Sequence, residues 1–228
     1  MLELFGPDIW LANGSVVEVA GFRYPTKMAA IRLDDGTLFI WSPIALTDAL
    51  RAAVDALGDV RWLIAPNTLH HLFVAEWQRA YPRAVLHAPL RLRKKRKDLN
   101  FTPIPVNDAA PWSRAIDHVT VGGNLITTEV VFFHKHSRTV LFTDLIQHFD
   151  RDWFTGWRSL VARLDGLTSP EPRVPRKFRY AFVDRQHARE ALKQIVAWPT
   201  DQLVFAHGPP LQHDARAVVA RALGWLSP

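Results

Sequence analysis

The chain contains no cysteine among its 228 residues. Disulfide bonds, thiolate zinc sites and cysteine nucleophiles are therefore excluded, and a transition metal would need nitrogen or oxygen ligands. A chain without cysteine is also compatible with a reducing compartment, so we expect a cytoplasmic protein.

Long apolar runs are also missing. No stretch approaches the roughly 18 apolar residues of a membrane span, and Glu3 stands where a secretory signal would have its basic region. We therefore expect a soluble protein with no membrane partner. The hydrophobic content of 48% and charged content of 22% are ordinary for a globular chain. The length favours a single domain over residues 1-228.

Positive charge is in excess, with a formal net charge of +6. Much of it lies in RLRKKRK, residues 91–97, where six of seven positions are basic. Such a run is compatible with binding of nucleic acid or an acidic partner. However, no aromatic residue interleaves the charges, as a platform for single strands requires. We expect a solvated loop and rank nucleic-acid binding last.

The spacing of apolar residues predicts alternating strands and helices. A meander is expected first, then a helix capped by Thr47, and then a strand-helix-strand unit whose strands are parallel. A hairpin, a helix capped by Asp184, a strand and a last helix complete the chain. The predicted strands are 14–22, 27–36, 37–44, 59–66, 84–89, 118–123, 127–134, 139–145 and 201–208, and the predicted helices are 46–58, 71–82, 184–198 and 212–226.

Polar side chains follow three of these strands. His70 and His71 come after LIAP, Asp144 follows VLFT, and His207 follows LVFA. Ligand sites of such sheets lie at the carboxyl ends of strands, and imidazole and carboxylate are ligands of zinc, iron and manganese. Each residue alone is explained by a turn or a helix cap, but the combination predicts a metal site. The candidate ligands are His70, His71, Asp144 and His207, with Asn67 or His134 as substitutes.

The order of elements resembles the metallo-β-lactamase fold superfamily. A meander, a strand ending in a histidine cluster, a hairpin ending LFTDL and a strand ending AHG follow one another over most of the chain. The resemblance implies a mixed α/β (α+β) fold, a four-layered αββα sandwich. More narrowly, SPI, APNTLHHLF, EVVFFHKHSRTVLFTDL and AHGPPL are similar to a branch of the superfamily described as a domain of unknown function.

Two site positions transfer directly under this resemblance. Asp144 matches the aspartate that bridges two metals in the superfamily, and His207 matches its last ligand. The glycines that usually precede these residues are replaced by Thr143 and Ala206.

The first ligand cluster, His-x-His-x-Asp-His in the superfamily, departs from the pattern. Without a gap, Asn67 and Leu69 fall on the first two histidines and His71 on the aspartate. A shift of one residue instead places His71 on the final histidine and His70 on the aspartate. Both alignments remain open, and both leave ligands missing.

Two further superfamily positions are changed. The ligand expected at the hairpin start falls near Asn124 or Leu125, and Ser42 replaces the aspartate of an early Asp-x-Gly element. A two-metal site uses about five or six donors around ions ~3.5–4 Å apart. We therefore expect no more than one metal ion.

Two functions follow from these residues. In the first, His71, Asp144 and His207 hold one zinc, iron or manganese ion, and His70 orients or deprotonates a water molecule that attacks an ester, amide or phosphoester of an unknown small molecule. His70 and Asp144 are then the candidate catalytic groups. In the second, the protein binds no metal, is catalytically inactive, and has a binding or structural role.

Overall fold

The computed structural model describes residues 1–105 and 109–226. These residues form thirteen strands, six α-helices and short 3₁₀ helices that include Leu90–Lys94. The strands are β1 (Leu2–Gly6), β2 (Ile9–Asn13), β3 (Val17–Val19), β4 (Phe22–Tyr24), β5 (Lys27–Arg32), β6 (Leu38–Trp41), β7 (Val60–Ile64), β8 (Val85–Ala88), β9 (Thr102–Pro103), β10 (Ile116–Val121), β11 (Glu129–His134), β12 (Thr139–Phe142) and β13 (Gln202–Phe205). The helices are α1 (Asp48–Asp55), α2 (Val74–Ala80), α3 (Trp157–Asp165), α4 (Arg176–Tyr180), α5 (Arg185–Ala197) and α6 (Ala215–Leu223).

The strands form two large sheets and one small hairpin. The first sheet has the order β1-β2-β5-β6-β7-β8-β9, antiparallel as far as β6 and parallel beyond it. The second has the order β10-β11-β12-β13, in which only the β12–β13 pair is parallel among the strands described. The β3–β4 hairpin is separate. Two of the parallel pairs, β6–β7 and β12–β13, have polar residues just beyond their carboxyl ends.

Alternation of side chains along the buried strands builds the core between the sheets. In β6, Phe39 and Trp41 pack in the cluster shared by both sheets, whereas Leu38 and Ile40 pack on the opposite face. The ring of Phe39 meets Phe132 of β11 edge to face, with centroids 5.5 Å apart. Such contacts hold the two sheets together.

Helices cover the outer face of each sheet. Leu50 of α1 and Trp77 of α2 pack on the first sheet, while Leu192 of α5 and Val219 of α6 pack on the second. The layers are therefore helix, sheet, sheet and helix, as the αββα expectation requires.

The helix caps expected from the sequence are present. Thr47 accepts a hydrogen bond from the Leu50 amide at the start of α1, and Asp184 accepts one from the His187 amide at the start of α5. Each side chain satisfies an amide that the first helical turn leaves without a partner.

Several elements differ from the sequence expectation. The β1–β2 hairpin and α3 were not predicted, and α4 begins inside the proline-rich segment 168–177. The single strand expected at 14–22 is a pair of short strands, because Ala20 and Gly21 adopt positive φ and turn the chain. Within the described part of the chain, no helix is both long and apolar enough to span a membrane.

His134, a substitute ligand in the sequence analysis, lies far from the other candidates. It pairs with Thr139 at the start of β12, whereas Asp144 follows the end of that strand. At ~3.3 Å per residue, the two sites are roughly 15 Å apart along the sheet. His134 is buried, and its Nδ1 lies 2.7 Å from the Ser137 hydroxyl. The prediction that His134 could be a substitute ligand at this site is therefore wrong.

The burial of His134 predicts a loss of stability in acid. Burial lowers its pKa from 6.5 to about 4, so between these values the unfolded chain binds a proton that the folded chain does not. Stability from this residue is complete above pH 6.5 and falls as the pH drops toward 4. Between pH 7 and pH 4.5, the free energy of unfolding of a His134→Gln variant should fall by on the order of 1–3 kcal/mol less than that of the wild type. Urea unfolding at both pH values measures this difference. Replacing the exposed His213 by Gln is the control, and equal losses in both variants would contradict the assignment.

Candidate metal centre

Four strand ends meet at one edge of the sandwich. Ser42 follows β6, the segment 67–71 follows β7, Asp144 follows β12, and His207 follows β13. The edges of the two sheets are joined there, because the Val130 amide donates to the Pro66 carbonyl. The candidate residues therefore face one another across the seam between the sheets.

Three of the four candidate ligands come together. The Nε2 atoms of His70 and His207 are 3.2 Å apart. His70 Nε2 lies 3.5 Å from Asp144 Oδ2, and His207 Nε2 lies 3.4 Å from Asp144 Oδ1. The side chains are only 11%, 6% and 7% exposed for His70, His207 and Asp144. Two imidazoles and a carboxylate are a suitable donor set for one zinc, iron or manganese ion.

His207 is oriented by its second ring nitrogen. Nδ1 lies 2.8 Å from the Pro25 carbonyl, and a carbonyl oxygen only accepts, so Nδ1 donates and the lone pair of the neutral ring is on Nε2. A fixed tautomer of this kind is what a metal-ligating histidine needs.

Gly208 and Lys27 fix the turn that follows His207. A Cβ on Gly208 would lie 2.2 Å from the Phe205 ring and 2.4 Å from the His148 carbonyl, so the turn requires glycine. The Lys27 ammonium donates to the carbonyl oxygens of Gly208 and Phe205. Burial of this lysine lowers its pKa to about 8.

His70 has a more adaptable partner. Its Nδ1 lies 2.9 Å from the Ser42 hydroxyl, which can donate or accept. Burial lowers the pKa of His70 to about 4, so the ring is neutral at pH 7 with its single proton on either nitrogen. The Asn67 side-chain oxygen accepts from the Leu69 and His70 amides and sets the turn that points His70 inward.

Asp144 is held by two amide side chains. Asn67 Nδ2 donates to Oδ2 at 2.6 Å, and Gln147 Nε2 donates to Oδ1 at 3.2 Å. Burial raises the pKa of Asp144, but the neighbouring His70 and His207 and the Asn67 bond outweigh it, and the net shift is downward. The carboxylate is therefore ionised at neutral pH.

Glu129 is a site residue that the sequence analysis missed. Its buried carboxylate accepts from the Thr143, Asp144 and Leu145 amides at 2.8, 2.8 and 3.0 Å. These bonds hold the turn that presents Asp144. Burial and the charge of Asp144 raise the pKa of Glu129 to about 7. The available signal in the sequence was a glutamate directly before the apolar run VVFF, residues 130–133.

His71 does not join the three donors. Its Nδ1 lies 3.1 Å from Arg96 Nη1, and its carbonyl accepts from the same nitrogen at 2.9 Å. Of the two adjacent histidines in the turn, only His70 points toward Asp144 and His207. His70 therefore occupies the ligand position that the hydrolase hypothesis gave to His71.

The expected hairpin ligand is absent from the centre. Asn124 is buried, but its side chain donates to the Phe178 carbonyl and accepts from the Ile126 amide. Leu125 has no ligating atom and is exposed. Within residues 1–105 and 109–226, His70, Asp144 and His207 are the one group of three potential ligands with metal-binding separations. The residues fit one ion.

The basic run 91–97 packs against the loops around this centre. Arg91 donates to the Asn124 and Leu125 carbonyls, Lys95 to the Thr68 carbonyl, and Arg96 to His71. Part of the run is therefore structural and not only the solvated loop that was expected, since Leu90–Lys94 form a 3₁₀ helix. Nucleic-acid binding stays the last-ranked possibility.

Sequence comparison identifies the family. The model of the family described as "Domain of unknown function (DUF4336)" matches residues 8–155. The chain belongs to the DUF4336 family. No curated protein is significantly similar to it in sequence.

Solved structures show that this DUF4336 chain has a metallo-β-lactamase fold. The mono-zinc form of the metallo-β-lactamase FIM-1 from Pseudomonas aeruginosa aligns with a TM-score of 0.66 at 12% identity, covering 100% of this chain and 96% of that one. A metallo-β-lactamase from Pontibacter korlensis gives 0.64 at 12% identity, covering 99% and 98%. The metal-soaked flavodiiron core of Flv1 from Synechocystis sp. PCC6803 gives 0.64 at 14% identity, covering 100% and 60%. The His-Asp-His cluster is compatible with a metallo-hydrolase-like fold.

Glu129→Gln tests the contact that holds the Asp144 turn. At pH 8 the glutamate is ionised, and the glutamine would turn an NH₂ group toward at least one backbone amide. We expect a loss of roughly 1–3 kcal/mol in the free energy of unfolding, measured in urea. Glu171→Gln is the matched control, because Glu171 pairs with Arg221 on the surface and should cost less than about 1 kcal/mol. Similar losses in both variants would show that the three amide bonds contribute little.

Proposed function

We propose that residues 1–228 form a single domain that holds one divalent metal ion and hydrolyses an ester, amide or phosphoester of a small molecule. The observation that supports this most is the convergence of three buried donors, His70, Asp144 and His207, at the carboxyl ends of strands. The mono-zinc form of FIM-1 indicates that this fold can hold a single ion.

The residues around the donors prepare them for an ion. Pro25 keeps the lone pair of His207 on Nε2, and Asn67 and Glu129 fix Asp144 and its turn. When bound, zinc, iron or manganese would supply Lewis acidity and lower the pKa of water. Two histidines and one carboxylate are enough protein ligands for a catalytic zinc, which keeps an open position.

The Ser42 hydroxyl can pair with either tautomer of His70, because it both donates and accepts. Without an ion, a proton on His70 Nε2 relieves the repulsion among two ring lone pairs and the Asp144 carboxylate, and Nδ1 then accepts from the Ser42 hydroxyl. As a ligand, His70 would carry the proton on Nδ1 and donate it to the same hydroxyl oxygen. His70 and Asp144 remain the proposed catalytic residues. His70 now acts as a metal ligand, a role that replaces its role as the base that deprotonates water, and His71 lies outside the ligand set.

A second candidate function is a binding or structural role without metal. The observation that favours it is the Asn67 amide, which donates to Asp144 Oδ2 at 2.6 Å. In the ungapped alignment Asn67 falls on a ligand position of the superfamily. The His70–Asp144–His207 group is then a hydrogen-bonded cluster that needs no ion. A location in the cytoplasm, proposed from the absence of cysteine, suits either function.

Metal content separates the two functions. In protein purified without chelator or a nickel column, then titrated with zinc, manganese or iron(II), we expect about one ion per chain by elemental analysis. Asp144→Asn and His207→Gln should each weaken binding roughly a hundredfold or more, because even outer partners of metal ligands are worth about 10- to 100-fold.

His71→Gln is the matched control for these variants. It lies beside His70 in sequence but bonds to Arg96, so we expect an unchanged stoichiometry. If the wild-type protein takes up no ion, the metal-free function is supported, and His207→Gln should then alter only the unfolding free energy. Loss of the ion in His71→Gln would restore the ligand set His71, Asp144 and His207.

A further inference from the structure

A cavity of about 930 Å³ includes the three donors in its wall. These donors, His70, Asp144 and His207, are nearly buried. The volume of the cavity is in the upper part of the range for sites that bind molecules of drug size, roughly 300–1,000 Å³. The cavity therefore has room for an organic molecule.

The cavity wall is mainly apolar. Phe22 of β4, Leu72 of the loop after β7, Val161 and Leu164 of α3 and Phe178 of α4 all line it. Several of them keep a large exposed area, and Leu164 is 59% exposed. Apolar surface that the protein leaves uncovered in a concave site marks a place where a ligand buries apolar groups.

The same wall has an excess of positive charge. Apart from Asp144, its charged residues are Lys95, Arg176, Lys177 and Asp165. Asp165 pairs with Lys177, at 3.5 Å. Lys95 and Arg176 donate to the uncharged Thr68 and Leu164 carbonyls. With Asp144 counted, the described wall has three positive and two negative side chains, so a net positive charge remains. An anionic group on a ligand would balance this charge.

We propose that the cavity binds amphipathic anions: molecules with an extended apolar chain or ring system and a carboxylate, sulfonate or phosphate group. This inference deepens the proposed function, on which it rests only for the claim that the bound molecule is a substrate. The substrate would be a hydrophobic ester or amide with an anionic end. Hydrolysis breaks the acyl bond and adds the elements of water, giving an acid and an alcohol or amine with no further reactant.

Binding by metal-free protein tests the ligand class separately from catalysis. Calorimetry with EDTA-treated protein would compare decanoate, decanol and butanoate, each below its aggregation concentration. We expect decanoate to bind at least tenfold more tightly than butanoate, since its six additional methylenes can be buried against the apolar wall. We also expect it to bind at least threefold more tightly than decanol because of the wall charges.

Two pairs of variants locate the site. Leu164→Asp places a carboxylate in the cavity wall and should weaken decanoate binding at least tenfold. Leu160→Asp is the control on the same helix, because Leu160 is 53% exposed and lies outside the lining. Lys95→Met should remove most of the preference for decanoate over decanol, whereas Lys97→Met, from the same basic run but outside the lining, should preserve it.

The outcomes distinguish this inference from the proposed function. If decanoate binds with this pattern but no metal is taken up, the ligand class stands and the hydrolase proposal fails. If metal binds but decanoate binds no better than butanoate, the ligand class is overturned and the metal centre is unaffected. Equal weakening by Leu160→Asp and Leu164→Asp would place the ligand on the outer surface of α3 and overturn the cavity site.

Discussion

The carboxylate of Glu129, the first residue of β11, is buried in the sandwich. Three consecutive backbone amides after β12 donate hydrogen bonds to it. The same residue forms a bridge with Asn67 in the loop after β7. It therefore links the second sheet to the loop of the first sheet that contains His70. Without this carboxylate, three buried amides would lose their partners, and the position of Asp144 opposite the histidines would no longer be defined.

Much of the architecture could be predicted because apolar periodicity reports which faces are buried. Phe39 and Trp41 alternate with Leu38 and Ile40 in a short run, and this pattern suits a strand that packs on both faces. The β1–β2 hairpin has no comparable pattern, because β1 is an edge strand with few buried residues. Helix α3 was missed although Trp157, Leu160, Val161 and Leu164 have helical spacing in the sequence. In the structure this apolar face is largely exposed.

The candidate centre was predictable to the level of strand ends but not of side-chain direction. His207 and Asp144 each follow a strand directly, so their position at the sheet edge follows from the strand. His70 and His71 lie several residues beyond β7, in a turn whose geometry depends on the Asn67 side chain. A difference of one residue in such a turn decides which ring faces inward, and apolar spacing contains no information on it.

The contact between Pro25 and His207 joins residues 182 positions apart, and the bond from Asn67 to Asp144 joins residues 77 apart. Contacts of such separation form only after a large loop-closure entropy has been overcome, so they depend on the docking of both sheets rather than on either alone. The complete set of three donors therefore requires that both sheets are docked. A partly folded chain with only the second sheet formed would keep Asp144 and His207 close together, because they follow the paired strands β12 and β13. It would lack His70, which follows β7 of the first sheet, and would therefore have an incomplete donor set.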